Sequence, residues 1–200
     1  RSTESNLSQL TVVLDDIQAN VDRDLNWNVN RAESLKSQAE VVVASMAAGL
    51  TASANLNYGG VDTHGNHDAN AYPQLGDLLE GVHFLMAALE HAGIADRTTV
   101  VMGADFGRTP YYNSGNGKDH WPVTSMMVIT PQQTGGRVFG ASTDAFMAQP
   151  VNLSSGQPDA SGVVLTPEHV NREIRRLMGV GSSTLAANYP LNVDDFRIFG

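Results

Sequence analysis

A long apolar stripe followed at once by a β-branched run limits the folds open to this chain more than any other feature. From Tyr72 to His91, Leu75, Leu78, Leu79, Val82, Leu85, Met86 and Leu89 recur at three- and four-residue steps, and Gly93 supplies a helix stop. Thr98 to Gly103 (TTVVMG) then reads as a buried strand. Ahead of the helix, Thr51 to Tyr58 alternates small and apolar side chains and closes on Gly59 and Gly60, which fits another short strand. Strand, helix, strand predicts a right-handed crossover between parallel strands, with the loops after both strands at one carboxyl edge. The expected fold class is α/β, a mostly parallel sheet flanked by helices.

The flanking segments are read the same way. Ser5 to Leu25 predicts an amphipathic helix through Leu7, Leu10, Val13, Leu14, Ile17 and Val21, and Asn26 to Asn30 breaks it, with Trp27 as a packing residue. A second helix is expected from Arg31 to Ala48, ended by Gly49. Val123 to Thr130 is a third strand candidate, Gly135 to Gly140 a turn into a short strand, and Ser142 to Gly162 an irregular stretch. Thr166, Pro167 and Glu168 form a helix start, predicting a helix to Met178 that buries Val170, Ile174, Leu177 and Met178. Leu191, Val193, Phe196, Ile198 and Phe199 suggest an edge strand in the tail. Residues 1–50 are expected to form a helical segment packing on the core, and residues 51–200 an α/β domain carrying the site.

Composition excludes some functions. The net charge of -9 and a sequence pI near 4.9 argue against a nucleic-acid partner and against docking on an anionic membrane. Without cysteine there is neither a disulfide framework nor a thiolate metal site. No run is long and apolar enough to span a bilayer. The chain opens on Arg1 rather than methionine, as expected of a processed or excised piece.

Against this background the chemistry is concentrated in three short runs: VDTHGNHDAN (Val61 to Asn70), ADFGRTP (Ala104 to Pro110) and GKDHW (Gly117 to Trp121). They hold His64, His67 and His120, Asp62, Asp68, Asp105 and Asp119, and Arg108. Carboxylate and imidazole together suit a borderline divalent cation, zinc or manganese. The expected ligands are Asp62, His64, Asp105, Asp119 and His120, with His67 secondary, enough for one metal or two. Arg108 offers a bidentate donor for phosphate or sulfate oxygens. Two plainer readings stand beside this one. Asp next to Gly and Asn is ordinary turn chemistry, and Asp62, Asn66, Asp68 and Asn70 offer oxygen ligands for a structural calcium. His83, His91 and His169, on predicted helices, are expected to be structural.

NYGGVDTHGNHDAN, then a helix ending LEHAGIADRTTVVMGADFGRTPYYNSGNGKDHWPVTSMMVI, then GGRVFGAS, resembles a bacterial family of exported proteins of unknown function placed in the alkaline phosphatase and sulfatase superfamily. The resemblance runs from about Gly49 to Gly179, with DTHGN, FGRTP and DHWP as its specific parts. It implies an alkaline-phosphatase-like fold without its N-terminal strand, metal held by Asp62, His64, Asp105, Asp119 and His120, and Arg108 in the role of the family arginine. Asp105 stands where the family usually has glutamate, and Phe106 where better-known phosphatases of the superfamily have histidine. The superfamily's first strand, which brings another aspartate and the nucleophile, has no counterpart here, and the lack of cysteine excludes a formylglycine made from it.

The expected function is metal-dependent hydrolysis of phosphate or sulfate esters, small or polymeric, by a secreted or periplasmic protein or by the carboxyl-terminal part of one. The alternative is a non-catalytic extracellular assembly module with a retained metal or calcium site. A third reading has a partner chain completing the fold.

Overall fold

A computed structural model describes residues 3–22 and 33–197 of the chain. The expected Asn26 to Asn30 connection with Trp27, the helix start at Arg31, and Ile198 and Phe199 of the tail lie outside the described residues. The described chain divides into two compact units, residues 1–102 with 108–121 and residues 103–107 with 122–200.

Three helices build the first unit: α1 (Thr3–Asn20), α2 (Glu33–Ala47) and α3 (His67–His91). Their apolar stripes meet in one core in which Ile17, Val43, Phe84 and Leu89 are almost wholly buried. Burying a side chain of this size contributes roughly 1.5–3 kcal/mol, so this core supplies much of the unit's stability. Gly49 (φ 73) and Gly93 (φ 68) follow α2 and α3 in the left-handed conformation expected of helix stops. Gly81 lets α2 and α3 approach closely, since a Cβ there would run into the Leu35 side chain. His91 Nε2 lies 2.8 Å from Asp16 Oδ2 and so ties α3 to α1.

The predicted α3 stripe is only half right. Its second half packs inward through Leu85 and Leu89, joined by Phe84 and Ala88, which the stripe leaves out, but Leu75 and Leu79 are exposed and the buried face of the first half is Ala71, Gln74, Asp77 and Glu80. These polar groups face inward because α2 presents Lys36, whose ammonium pairs with Glu80, while the Tyr58 hydroxyl donates to Asp77 Oδ2 at 3.3 Å. α3 also starts at His67 rather than Tyr72. The amides of Asn66 and His67 donate to the carbonyls of Gly115 and Asn116 at 3.1 and 2.8 Å, so a neighbouring loop fixes the helix entry.

The expected mostly parallel sheet is not formed. The described strands are β1 (Val100–Met102), β2 (Gly107–Arg108), β3 (His120–Trp121), β4 (Met127–Ile129), β5 (Pro150–Val151) and β6 (Val163–Val164), two or three residues each. They make short antiparallel two-stranded ladders in a chain that is 41% helical. Thr51 to Tyr58, the strand that was to begin the crossover, is irregular. At Asn57 a side chain takes the place of a neighbouring strand: Asn57 N donates to Gln38 Oε1 at 2.9 Å and Gln38 Nε2 donates to the Asn57 carbonyl at 3.0 Å. With no strand there, no parallel crossover exists, and the alkaline-phosphatase-like architecture inferred from the motifs is overturned with it.

In the second unit β5 pairs antiparallel with β6, Pro150 opposite Val164 and Val151 opposite Val163, so the stretch read as irregular supplies one strand of a ladder, with Val151 buried. The rings of Phe139 and Phe196 meet edge to face at 5.6 Å. Gly135 to Gly140 leads into no strand, only into an isolated bridge between Ser142 and Ala148. α4 (Pro167–Leu177) starts where Thr166 and Pro167 predict, with Thr166 and His169 forming a reciprocal cap. Its buried residues are His169 and Glu173, not the expected apolar set. A last short helix, α5 (Thr184–Asn188), precedes an irregular tail in place of the expected edge strand.

Candidate metal centre

The site is assembled by two loops of the first unit that are stitched through their backbones. Lys118 N donates to the Thr63 carbonyl at 2.9 Å, and the two bonds at the α3 entry join the same loops. Gly117 is required at this seam, because a Cβ would collide with the His64 carbonyl. Asn113 closes it: Nδ2 donates to the His64 carbonyl at 3.1 Å, and Oδ1 accepts from Gly115 N and Gly117 N at 2.9 Å each. Arg108 and His120 stand on β2 and β3, which hydrogen-bond to each other.

The stitching brings Asp62, His64 and His120 together, each offering a ligand atom, all within 4.8 Å of one another. His64 Nε2 lies 3.1 Å from Asp62 Oδ1 and 3.1 Å from His120 Nε2. Nitrogen and oxygen ligands about 2.0–2.1 Å from a tetrahedral zinc stand roughly 3.3 Å apart, so both separations are close to edges of such a polyhedron. This group could hold a divalent ion. Asp62 is 70% exposed and His64 47%, so three protein ligands would leave further positions open to water or substrate.

Both carboxylates beside the imidazoles are held in the ionised form. Arg108 Nη2 donates to Asp62 Oδ1 at 2.6 Å and holds the Asp62 carboxyl below the usual carboxylate range, with His64, Arg108 and His120 adding to the effect through their charge. Asp119 Oδ1 lies 2.8 Å from His64 Nδ1 and accepts from Asn113 Nδ2 at 2.9 Å. Those two bonds, His64 first, hold the Asp119 carboxyl low as well. An ionised carboxylate can only accept, so Asp119 favours a proton on His64 Nδ1, which makes Nε2, on the side of Asp62 and His120, the nitrogen that a cation would take.

Arg108 is fixed by the Val61 and Lys118 carbonyls, at 3.2 and 3.1 Å, and its Nη1 lies 3.4 Å from His64 Nε2. A guanidinium in this position sits within reach of any anion drawn to the cluster.

The other expected ligands fall elsewhere. Asp119 orients His64 and is not one of the gathered ligand atoms. His67 Nδ1 pairs with Thr63 Oγ1 at 2.6 Å, and its ring meets Tyr112 edge on. Asp105 belongs to the second unit, where its Oδ1 accepts from Phe106 N at 3.1 Å, and it is not a member of the group. Of the calcium set, Asp68 accepts the Tyr112 phenol at 2.8 Å, which pushes Tyr112 up, and Asn70 donates to the Gly65 carbonyl at 3.1 Å. Asn113 escaped the sequence reading, although an asparagine close to Gly115 and Gly117 and just ahead of the DHW run is the residue type that braces such loops.

Residues 26–167 match the sequence model of a family described as a protein of unknown function, DUF1501, a stretch that contains both loops of the site. No curated protein and no solved structure matches the chain.

Proposed function

From the premise that the chain belongs to the DUF1501 family, we propose that it is a metal-dependent hydrolase of phosphate or sulfate esters, working at Asp62, His64 and His120. The observation that carries this reading is the pair of 3.1 Å separations around His64 Nε2, with a guanidinium bonded to the same Asp62 oxygen. Cation ligands beside an anion-binding fork form a site for an oxyanion ester. The choice of phosphate or sulfate esters, and of a secreted or periplasmic location, rests on the likeness of the DTHGN, FGRTP and DHWP motifs to the phosphatase and sulfatase superfamily and not on the fold.

A divalent cation bound here, zinc or manganese, would polarise the ester and make water a nucleophile at neutral pH. The chain's own residues have separate tasks. Asp62, His64 and His120 would hold the cation, Asp119 would orient the His64 ring through Nδ1, and Arg108 would grip the anionic head of the ester and neutralise charge that builds there.

Metal analysis of the purified protein together with hydrolysis of aryl phosphate and aryl sulfate esters, with zinc, manganese or calcium added, tests the reading. The expected result is about one bound transition metal and turnover that a chelator removes. Metal binding without turnover of either ester class rejects the hydrolase, and no metal uptake rejects the centre itself.

A further inference from the structure

The second unit gathers positive charge in an acidic protein. The chain has 12 lysines and arginines against 21 aspartates and glutamates, yet Arg172, Arg175 and Arg176 share the latter part of α4. They line a cavity of about 520 Å³ between α4, α5 and the tail, together with Ser182, Ala187 and Leu191. Cavities of this size take small organic molecules.

Two of the three guanidiniums are already spoken for. Arg172 Nε donates to Asp195 Oδ1 at 2.7 Å and Nη1 to the Leu191 carbonyl at 3.0 Å. Arg176 holds the carboxylate of the buried Glu173 with its Nε and Nη2, the latter at 3.0 Å. Arg175 differs. Its Nη1 donates to the Tyr189 carbonyl at 2.6 Å, and no carboxylate is paired with it among the described residues. Pinning the tail to α4 accounts for Arg172, and clamping Glu173 accounts for Arg176. Neither accounts for a half-buried arginine that spends one of its five donors on a carbonyl and lines a cavity. Three guanidiniums against two carboxylates also leave the lining with a positive excess.

We propose that this cavity binds a small organic oxyanion, its carboxylate or phosphonate-type head on the Arg175 fork and its apolar body against Ala187 and Leu191. All of these residues lie beyond the stretch matched by the family and outside the metal centre, so the site stands whether or not the chain hydrolyses esters.

Calorimetric titration of the whole chain with phenylphosphonate, which cannot be hydrolysed at a phosphate ester bond, and with benzoate tests the proposal. Saturable binding is expected at about millimolar concentration or below, weakened about tenfold by Arg175→Gln and unchanged by Arg108→Gln. Binding of only one probe supports the site and identifies its head group. Methyl spectra of the unmodified protein provide a check that needs no variant: the Ala187 signal shifts during the titration. No saturable binding of either probe up to about 10 mM, or binding that Arg108→Gln abolishes while the Ala187 signal stays still, overturns the proposal. The second of those outcomes leaves the ester-hydrolase reading intact.

Discussion

The carboxylate of Asp119 lies 2.8 Å from Nδ1 of His64, on the ring nitrogen that does not face Asp62 and His120. The residue expected to be a ligand thus braces a residue that could be one. Replacing Asp119 by alanine frees the imidazole to rotate and to change tautomer, and zinc affinity is expected to drop about 10–100-fold. Competition with a coloured chelator measures it. A ligand role for Asp119 instead predicts a loss as large as that of His120→Ala.

A cation held by Asp62 would compete with Arg108 for the same carboxylate oxygen. Arg108→Gln is therefore expected to leave zinc affinity unchanged or higher while ester turnover falls by about two orders of magnitude, the usual cost of removing a donor to developing charge. Equal losses of metal and turnover would show that the arginine holds the centre together rather than the substrate.

Gly117→Ala tests the seam between the loops. The added methyl meets backbone atoms of His64 and Gly65 that have little room to yield, and a loss of about 1–3 kcal/mol is expected in urea unfolding. Metal affinity should fall in parallel.

Lys36 and Glu80 pair at 2% and 3% exposure between α2 and α3. Lys36→Met strands a buried carboxylate and should cost about 3–5 kcal/mol, whereas Lys36→Met with Glu80→Leu should recover most of that. Thermal unfolding of the two variants distinguishes a lost charge pair from lost packing.

Asp159 is held below the usual carboxylate range first by the Ser161 hydroxyl, at 2.7 Å, and then by the Ser161 amide. Its folded-state pKa lies below its unfolded one. The carboxylate therefore stabilises its turn above the ordinary range, and that gain is lost as acid takes the pH down through the lowered value. Ser161→Ala should move the Asp159 carboxyl titration, followed by NMR, up toward the ordinary range.

Helices could be read from the chain because their signals are local. The Thr166 and Pro167 start, the Gly49 and Gly93 stops and the inward placement of Leu85 and Leu89 all follow from spacing. The sheet could not, because Thr51 to Tyr58 has a strand-like composition and only a tertiary partner, the Gln38 amide, decides its conformation. Burial failed for the same reason where polar groups satisfy one another, as Lys36 with Glu80 and Arg176 with Glu173 do, since residue type alone places such side chains outside. At the site, Asp62, His64 and His120 were visible as motif residues. The separate parts of Asp119, His67 and Asp105 depend on which neighbour reaches each side chain, and spacing carries no record of that.

The three backbone bonds that join residues 61–67 to residues 113–118 make two segments distant in sequence behave mechanically as one. Neither segment can open while the other stays shut. An ion gripping His64 from one side and His120 from the other would act as a rivet through that seam, slowing amide exchange along both segments together.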